Sequence, residues 1–378
     1  MAALAAADPA ASPSTSAWPP SALTRPQAIL VRVDLPAPLG PSSPSSSPGS
    51  TDRSTLASAM VDPYRFDSCW QASAGGTGLS LGSYPRAPVG LLDEVRESCA
   101  AIAADARHVQ IDLDALAEVG AAPAAELDPE RHYLEGTPEH VAGYMLTLDA
   151  INFGSGWFPT LRKRPGSSGY YTIAWALADR FRSAGPWSNA ELRGLDAPTV
   201  ATALGQARDH ELMELYADAL RQLGVFLGER SPSAVVAEAG GSAERLAENL
   251  AHAMPFFDDT GFWKRAQITA NDLALAGVAE FHDLDRLTIF ADNLVPHVLR
   301  VDGVLRYEAE LAARIDAGEL LPPGDEEREI RACAVHACEL IAAELAVPPR
   351  TLDVWLWNRG QEPRYKSRPR HRTRSVYY

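Results

Sequence analysis

The segment Glu211-Leu-Met-Glu-Leu-Tyr-Ala-Asp-Ala-Leu-Arg-Gln-Leu223 decides the fold class, because its apolar residues recur at the spacing of an α-helix. One helical face collects Leu212, Leu215, Tyr216, Ala219, Leu220 and Leu223. Upstream, a second stripe contains Ile173, Leu177 and Phe181, and the following Gly185 indicates a helix C-cap. Both stripes predict amphipathic helices packed on a common core.

The same periodicity recurs along the chain, whereas the alternation typical of strands is scarce. Helical patterns cover 91–104, 141–150, 243–253, 263–280, 307–316 and 326–346. Turns are indicated at Arg164-Pro165-Gly166 and at Leu321-Pro322-Pro323-Gly324. We therefore predict a mainly α-helical protein with a single helical domain at residues 60–378.

The first 59 residues differ from the rest, since Pro, Ser and Ala dominate and Lys and Glu are absent. Such a composition predicts a disordered segment, 1–59. It lacks the pattern of a secretory signal. The alternatives are a disordered extension, a processed targeting segment, or a misassigned start, and we expect the working protein to begin near Met60.

The overall composition excludes several classes of protein. A net charge of −15 argues against a protein that coats duplex nucleic acid. Charges interrupt every apolar run before the roughly 18 residues of a membrane helix, so no membrane partner is expected. Four cysteines in 378 residues are too few for a disulfide framework, which favours free thiols in the cytoplasm.

The C-terminal end is basic, with six Lys or Arg residues and no acid between Arg364 and Arg374. The favoured interpretation is a solvated arm that folds back on the acidic surface of its own domain, and the alternative is an arm for nucleic acid. No phosphate-binding loop or HExxH motif is present. Cys333, His336 and Cys338 do not converge on one helix face, so we expect no metal.

Three segments contain residues that suggest chemistry. In Tyr144–Pro159 an apolar helix ends at Asn152, followed by Phe153, glycines and Trp157. Helix termination and core packing explain this pattern. An amide among aromatic rings also suits the binding of a flat heterocycle by stacking and edge hydrogen bonds. Both interpretations stay open.

The second segment, Asp258–Asp272, places Lys264 and Arg265 in the first turn of a helix, with Asp259 or Thr260 as N-cap. Cations are disfavoured there by the helix dipole, so a bound anion such as phosphate is one expectation. Pairing with Asp258, Asp259 or Asp272 is the alternative. In the third segment, Phe281–Leu299, Asp292 lies between two apolar runs and is either an N-cap or a partly desolvated catalytic carboxylate.

With these segments the chain resembles the queuosine salvage protein family, the queuosine 5'-phosphate N-glycosylases, over roughly residues 90–378. The resemblance rests on Leu148–Phe153, Gly169-Tyr170-Tyr171, Phe262–Ile268 with Asp272, Leu287–Asp292 with Val295-Pro296, Gly303–Tyr307, Glu327–Arg331, Leu352–Trp357 and Arg372–Tyr378. It implies a fold akin to helix-hairpin-helix DNA glycosylases and the hydrolysis of queuosine 5'-phosphate to queuine and ribose 5-phosphate. Asp292 matches the family's essential aspartate, and Lys264 matches the lysine upstream of it.

Under this resemblance each candidate residue has an expected role. Asp292 stabilises or attacks the oxocarbenium-like sugar, and the start of the helix at Lys264 and Arg265 binds the 5'-phosphate. Asn152 and Asp353 bind the pyrimidine edge of the base, and the stacking faces come from Phe153, Trp157, Phe290 and Trp357. A small molecule is the expected partner, without stable nucleic-acid binding, metal or organic cofactor. The alternative functions are a DNA base-excision glycosylase and a non-catalytic helical interaction module.

Overall fold

A computed structural model describes residues 90–112, 114–115 and 126–378. The N-terminal extension predicted at 1–59 and the proposed start at Met60 lie outside these described residues. The α-helices are α1 (Leu91–Asp105), α2 (Pro138–Ala150), α3 (Gly169–Ala184), α4 (Asn189–Arg193), α5 (Ala197–Ala203), α6 (Glu211–Leu227), α7 (Pro232–Ala237), α8 (Ala243–Ala253), α9 (Lys264–Leu275), α10 (Val295–Val301), α11 (Ala309–Asp316), α12 (Asp325–Leu345), α13 (Pro349–Arg359) and α14 (Pro363–Lys366).

Short elements complete the described chain. Single 3-10 turns occur at Phe158–Thr160, Pro255–Phe257 and Leu284–Arg286. Two strands, β1 (Val109–Ile111) and β2 (Leu305–Tyr307), form one antiparallel pair. The prediction of a mainly α-helical protein is confirmed. No helix in the described part of the chain is long and apolar enough to cross a membrane.

The two stripes that predicted helices are buried in α6 and α3. In α6 the residues Leu212, Tyr216 and Leu220 are fully buried, and apolar side chains recurring on one face form the core contact. Helix α3 ends at Gly185, whose φ of 73° lies in the left-handed region, as predicted for a C-cap.

The core is centred on helices whose faces are buried almost all round. From Val141 to Ala150 every residue of α2 is buried, and α12 is buried over most of its length. Thr137 begins α2 by accepting a hydrogen bond from the His140 amide, and Pro138 occupies the first turn. Helices α1 and α12 pack together, as do α8 and α9 and the pair α2 and α9. The buried α2 and α9 position the site described below.

Two differences from the sequence prediction have local causes. The prediction extended the α9 pattern to residue 280, but α9 ends at Leu275, because Gly277 adopts a φ of 69° and ends the helical hydrogen bonding. Neither Asp259 nor Thr260 occupies the N-cap of α9. That position belongs to Trp263, which has a left-handed φ of 44°. The three cysteines among the described residues are free and buried.

Candidate active site

A cavity of about 150 Å³ opens where the end of α2, the start of α9, α13 and the loop before α10 meet. Seven of the nine residues expected from the sequence line it, although they come from distant parts of the chain: Asn152, Phe153, Lys264, Phe290, Asp292, Asp353 and Trp357. Carboxylates and aromatic rings share its walls, since Glu126, Asp128, Asp272, Tyr170 and Tyr171 also line it.

The half-buried Asp292 carboxylate both holds the backbone before α10 and lines the cavity. Its Oδ1 accepts hydrogen bonds from the Leu294 amide at 2.7 Å and the Val295 amide at 3.1 Å, just before α10. Among the described residues no donor hydrogen-bonds Oδ2. The two interpretations of the sequence, a helix cap and a carboxylate at a site, therefore describe the same residue: one oxygen is held by the backbone and the side chain lines the cavity.

Lys264 reaches the cavity from the first residue of α9. Asp259 helps to hold this helix start, because its carboxylate accepts from the Lys264 amide and forms a buried ion pair with Arg331. The ammonium group of Lys264 donates to the Asn152 carbonyl at 3.3 Å. Burial lowers the pKa of Lys264, and the attraction of Asp292 opposes this shift. Lys264 and Asp292 thus interact electrostatically beside the cavity.

Two buried acids, Asp149 and Asp272, interact electrostatically with Lys264. Asp149, at the end of α2, accepts from the Asn152 amide group at 3.3 Å, and its Oδ2 is buried without a hydrogen-bond partner among the described residues. Burial and the neighbouring Asp272 raise the pKa of Asp149 well above its ordinary value. Burial likewise raises the pKa of Asp272 to about 6. Burial therefore favours the neutral form of both carboxyl groups more than in an ordinary aspartate.

Asp353 on α13 joins the cavity to the loop that carries Asp292. Its Oδ1 accepts a hydrogen bond from the Phe290 amide at 2.8 Å, which ties the loop to α13. Burial, followed by the charge of Asp292, raises the pKa of Asp353 well above its ordinary value. The carboxyl group therefore keeps its proton to higher pH than an ordinary aspartate, and in its protonated form it can donate a hydrogen bond.

Aromatic rings also line the cavity. Trp357 contacts Tyr170 and Tyr171 edge to face, with ring centroids 6.0 and 5.5 Å apart. Phe153 is fully buried and packs its ring against Tyr216 at 5.0 Å. A flat heterocycle fits such a wall through stacking and edge contacts. Phe153 contributes to both core and cavity, so the two interpretations of its segment are again compatible.

Arg265 does not line the cavity. Its guanidinium lies between the rings of Phe153 and Phe257 and donates to the carbonyls of Asp149, Ala150, Phe256 and Val376. With these hydrogen bonds inside the core, the side chain is not placed to bind a phosphate. The expectation that both Lys264 and Arg265 meet an anion is not met by this geometry.

Trp157 also lies away from the cavity. Its ring is buried, its indole Nε1 donates to Glu211 at 2.8 Å, and Arg374 stacks on the ring at 5.6 Å. It packs the C-terminal segment onto α6 rather than offering a face to a ligand. The structure thus separates Trp157 and Arg265 from the other seven expected site residues.

The basic C-terminal segment meets the expectation of an arm folded onto acidic groups at its two ends. Arg364 pairs with Asp302 at 3.3 Å, and Arg374 pairs with Glu211 at 3.0 Å. Between them the chain borders a second cavity of about 310 Å³, whose walls include Lys366, Arg368, Arg370 and Arg372. The final residue, Tyr378, lines the first cavity, and its main-chain oxygen accepts from the Gly154 amide at 2.9 Å.

Several lining residues were not expected from the sequence. Glu126, Asp128 and His132 come from a stretch without helical periodicity, and Asn271 is two turns beyond Lys264 on α9. The spacing of Lys264, Ile268, Asn271, Asp272 and Leu275 was the available signal, because i, i+4 and i+7 share a helix face. In the part of the chain that the structure describes, no group of His, Cys, Asp and Glu is arranged to hold a metal ion.

A family model and two similar known proteins agree on one family. The family model described as queuosine salvage protein matches residues 131–378. A queuosine 5'-phosphate N-glycosylase/hydrolase of Sphaerobacter thermophilus is 35% identical over 304 residues, covering 72% of this chain and 94% of that protein. A Mus musculus protein of the same name is 30% identical over 336 residues, covering 75% of this chain and 98% of that protein.

Proposed function

Because this chain belongs to the queuosine salvage protein family, we propose that it hydrolyses the N-glycosidic bond of queuosine 5'-phosphate. The products are queuine, which is salvaged for tRNA modification, and ribose 5-phosphate. The observation that carries the proposal is the position of Asp292, whose carboxylate lines a cavity together with aromatic rings and with acid and amide groups.

The reaction requires stabilisation of positive charge on the sugar. As the bond between C1' and the base breaks, its electron pair leaves with the base and the ribose becomes oxocarbenium-like. Asp292 stabilises this charge or attacks C1', and its attraction to Lys264 helps to hold it in place. Water then supplies the hydroxyl group at C1', and its proton ends on the base, so that the atoms balance.

The leaving base needs stabilisation through its pyrimidine edge. Queuine is a 7-deazapurine, so it has no N7 to accept a proton. Asp353, whose pKa is raised by burial, can in its protonated form donate a hydrogen bond to the base as negative charge develops, and Asn152 offers an amide to the same edge. Trp357 and Phe290 supply neighbouring ring faces. The acidic lining, including Asp128, suits the cationic cyclopentenediol arm of the base.

The compartment and partners follow from the same proposal. A small nucleotide substrate needs no nucleic-acid surface, and the net charge of −15 disfavours duplex binding. We place the protein in the cytoplasm, where its free cysteines stay reduced. A salt-dependent affinity for duplex DNA in the micromolar range would instead support the DNA glycosylase alternative.

The direct test incubates the purified chain with queuosine 5'-phosphate and separates the products by chromatography. We expect queuine and ribose 5-phosphate in equal amounts, and no base release from GMP, whose guanine lacks the cyclopentenediol arm. Release of guanine at a similar rate would contradict the recognition proposed here. No release of queuine by folded protein would contradict the proposed function itself.

A further inference from the structure

Arg331 on α12 is a buried cation that contacts both segments of the proposed reaction centre. The residue is 1% exposed and is not among the described residues that line either cavity. A guanidinium is costly to remove from water, so its complete burial requires acceptors around it. Those acceptors lie on the loop that carries Asp292 and in the turn just before Lys264.

The first acceptor is the backbone carbonyl that precedes Asp292. The Nε group of Arg331 donates to the Ala291 carbonyl at 3.0 Å. Because a peptide group is planar, this hydrogen bond also orients the N–H bond of the next residue, Asp292. On its other side Asp292 is held through Oδ1 by the amides of Leu294 and Val295. The direction of the carboxylate is therefore set from both sides, and Arg331 sets one of them.

The second acceptor is the carboxylate of Asp259, in the turn that leads into α9. Nη1 of Arg331 donates to Oδ1 at 3.1 Å, and Nη2 donates to Oδ2, which makes a bidentate pair. The same Oδ2 accepts from the Lys264 amide at 3.4 Å. The Asp259 carbonyl accepts from the amides of Phe262 and Trp263. Asp259 therefore shapes the turn from which Lys264 begins its helix, and Arg331 holds Asp259.

The surroundings keep the guanidinium charged and in place. Burial alone would lower the pKa of Arg331, but the charges of Asp259 and Glu327 raise it above its ordinary value. The rings of Phe262 and Tyr378 lie 3.9 and 4.6 Å from the central carbon of the guanidinium. A lysine could carry the same charge, but its ammonium group lacks the planar fork that directs bonds to two fixed acceptors.

Other buried side chains hold the earlier part of the same loop. Gln267 of α9 accepts from the Thr288 amide at 3.0 Å, and Asp353 of α13 accepts from the Phe290 amide at 2.8 Å. These contacts do not depend on Arg331. A change at Arg331 should therefore move the end of the loop without releasing the whole loop from the core.

One guanidinium thus joins the loop of Asp292 to the turn before Lys264. We propose that Arg331 is a positioning residue, which places the Asp292 carboxylate relative to the Lys264 ammonium group for hydrolysis. This inference rests on the proposed function, in which Asp292 meets the sugar cation and Lys264 helps to hold it. Arg331 lines neither cavity, so it acts through these two residues and not on the substrate itself.

The test compares kcat and KM for queuosine 5'-phosphate in wild type and Arg331→Lys, each per folded molecule. We expect kcat to fall about 10- to 100-fold, because an error of about 1 Å in the placement of a reacting group can cost about 100-fold. KM should change by less than about threefold, because the substrate loses no contact. The matched control is Arg314→Lys, whose guanidinium forms a bidentate pair with Glu326 outside both cavities and which should leave both constants unchanged.

A double-mutant cycle separates positioning from a general effect on the fold. In the Asp292→Asn background no carboxylate charge remains to be placed, so Arg331→Lys should lower kcat by less than a further threefold or so. Asp259→Asn removes the charge that Arg331 binds and should reproduce both results, which provides a second variant if Arg331→Lys does not fold. An equal loss of kcat in both backgrounds, or no loss in the wild-type background, would overturn the assignment.

Crystal structures of the same variants provide a readout without turnover. In Arg331→Lys we expect the Asp292 carboxylate to shift by about 1 Å relative to Nζ of Lys264, whereas Arg314→Lys should leave that distance unchanged. An unchanged distance in folded Arg331→Lys would contradict the positioning role. If wild type released no queuine while Arg331→Lys still showed the shift, the proposed function would fail and the placement of Asp292 by Arg331 would stand.

Discussion

Replacing Asp292 by Asn separates its charge from its structural hydrogen bonds. The Oδ1 acceptor for the Leu294 and Val295 amides remains, so the start of α10 keeps both contacts. What disappears is one negative charge beside the developing oxocarbenium ion. Two unit charges about 4 Å apart interact by about 4 kcal/mol at an effective dielectric constant near 20. That energy corresponds to a rate loss of about 1,000-fold.

The assay is a single-turnover reaction with excess enzyme, in which queuine is measured by chromatography and ligand binding by calorimetry. We expect the Asp292→Asn variant to bind ribose 5-phosphate and to melt close to wild type, while cleavage slows by about three orders of magnitude. Asp285→Asn is the matched control, because Asp285 is an exposed carboxylate paired with Arg350 outside both cavities.

A cleavage rate within tenfold of wild type would refute this reasoning. Asp292 would then act only on the backbone before α10. In that case Asp292→Ala, which also loses the acceptor, should destabilise the fold by about 1 kcal/mol with little effect on turnover per folded molecule. The pair of variants therefore distinguishes a catalytic carboxylate from a helix cap.

Three further predictions concern stability. Arg265→Met leaves several buried carbonyls without their donor and should lower the free energy of unfolding in urea by about 3 kcal/mol or more, and a loss below 1 kcal/mol would contradict the core role. Burial raises the pKa of Asp272 to about 6, so its stabilising contribution is complete below the unfolded-state pKa of about 4 and is lost as pH rises through 6. Urea unfolding of Asp272→Asn should therefore show a gain relative to wild type that grows between about pH 4 and 7, and a constant difference would count against the shift. Ala346→Gly should raise the free energy of unfolding by about 1 kcal/mol, because Ala346 ends α12 with a left-handed φ of 52°, and no gain would argue against strain there.

The fold class was predictable because most of the helices have an apolar stripe that the core requires. Residues 243–253 were predicted as a helix and form α8 with the same limits. Short helices such as α4 and α14 escaped prediction because four or five residues do not establish a period. Strands β1 and β2 have three residues each and are stabilised by pairing across almost 200 residues, which no local pattern records.

The site was predictable in its residue types but not in their partners. Lys264 and Arg265 are neighbours in one motif, yet one lines the cavity and the other is hydrogen-bonded to carbonyls from three segments, two of them more than 100 residues away. Likewise the sequence offered Trp157 and Trp357 as equivalent stacking candidates. In the structure the Trp157 indole donates to Glu211 and Arg374 lies over its ring, whereas Trp357 lines the cavity. Only the long-range packing distinguishes a binding side chain from a structural one of the same type.

The C-terminal segment illustrates the same limit. Its charge was evident in the sequence, and ion pairs at Arg364 and Arg374 agree with an arm folded onto acidic groups. Its central arginines, however, line a cavity together with Asp292, which lies on a loop almost 80 residues earlier. A charge run alone could not indicate that it borders a second cavity.

We propose that the Asp292 carboxylate lies against C1' of the substrate. A crystal structure of the slow Asp292→Asn variant with intact queuosine 5'-phosphate measures this distance directly. We predict a side-chain atom of residue 292 within about 3.5 Å of C1', with the base among the aromatic rings of the first cavity. A ligand whose C1' lies far from residue 292, with that side chain bonded only to the backbone before α10, would contradict it.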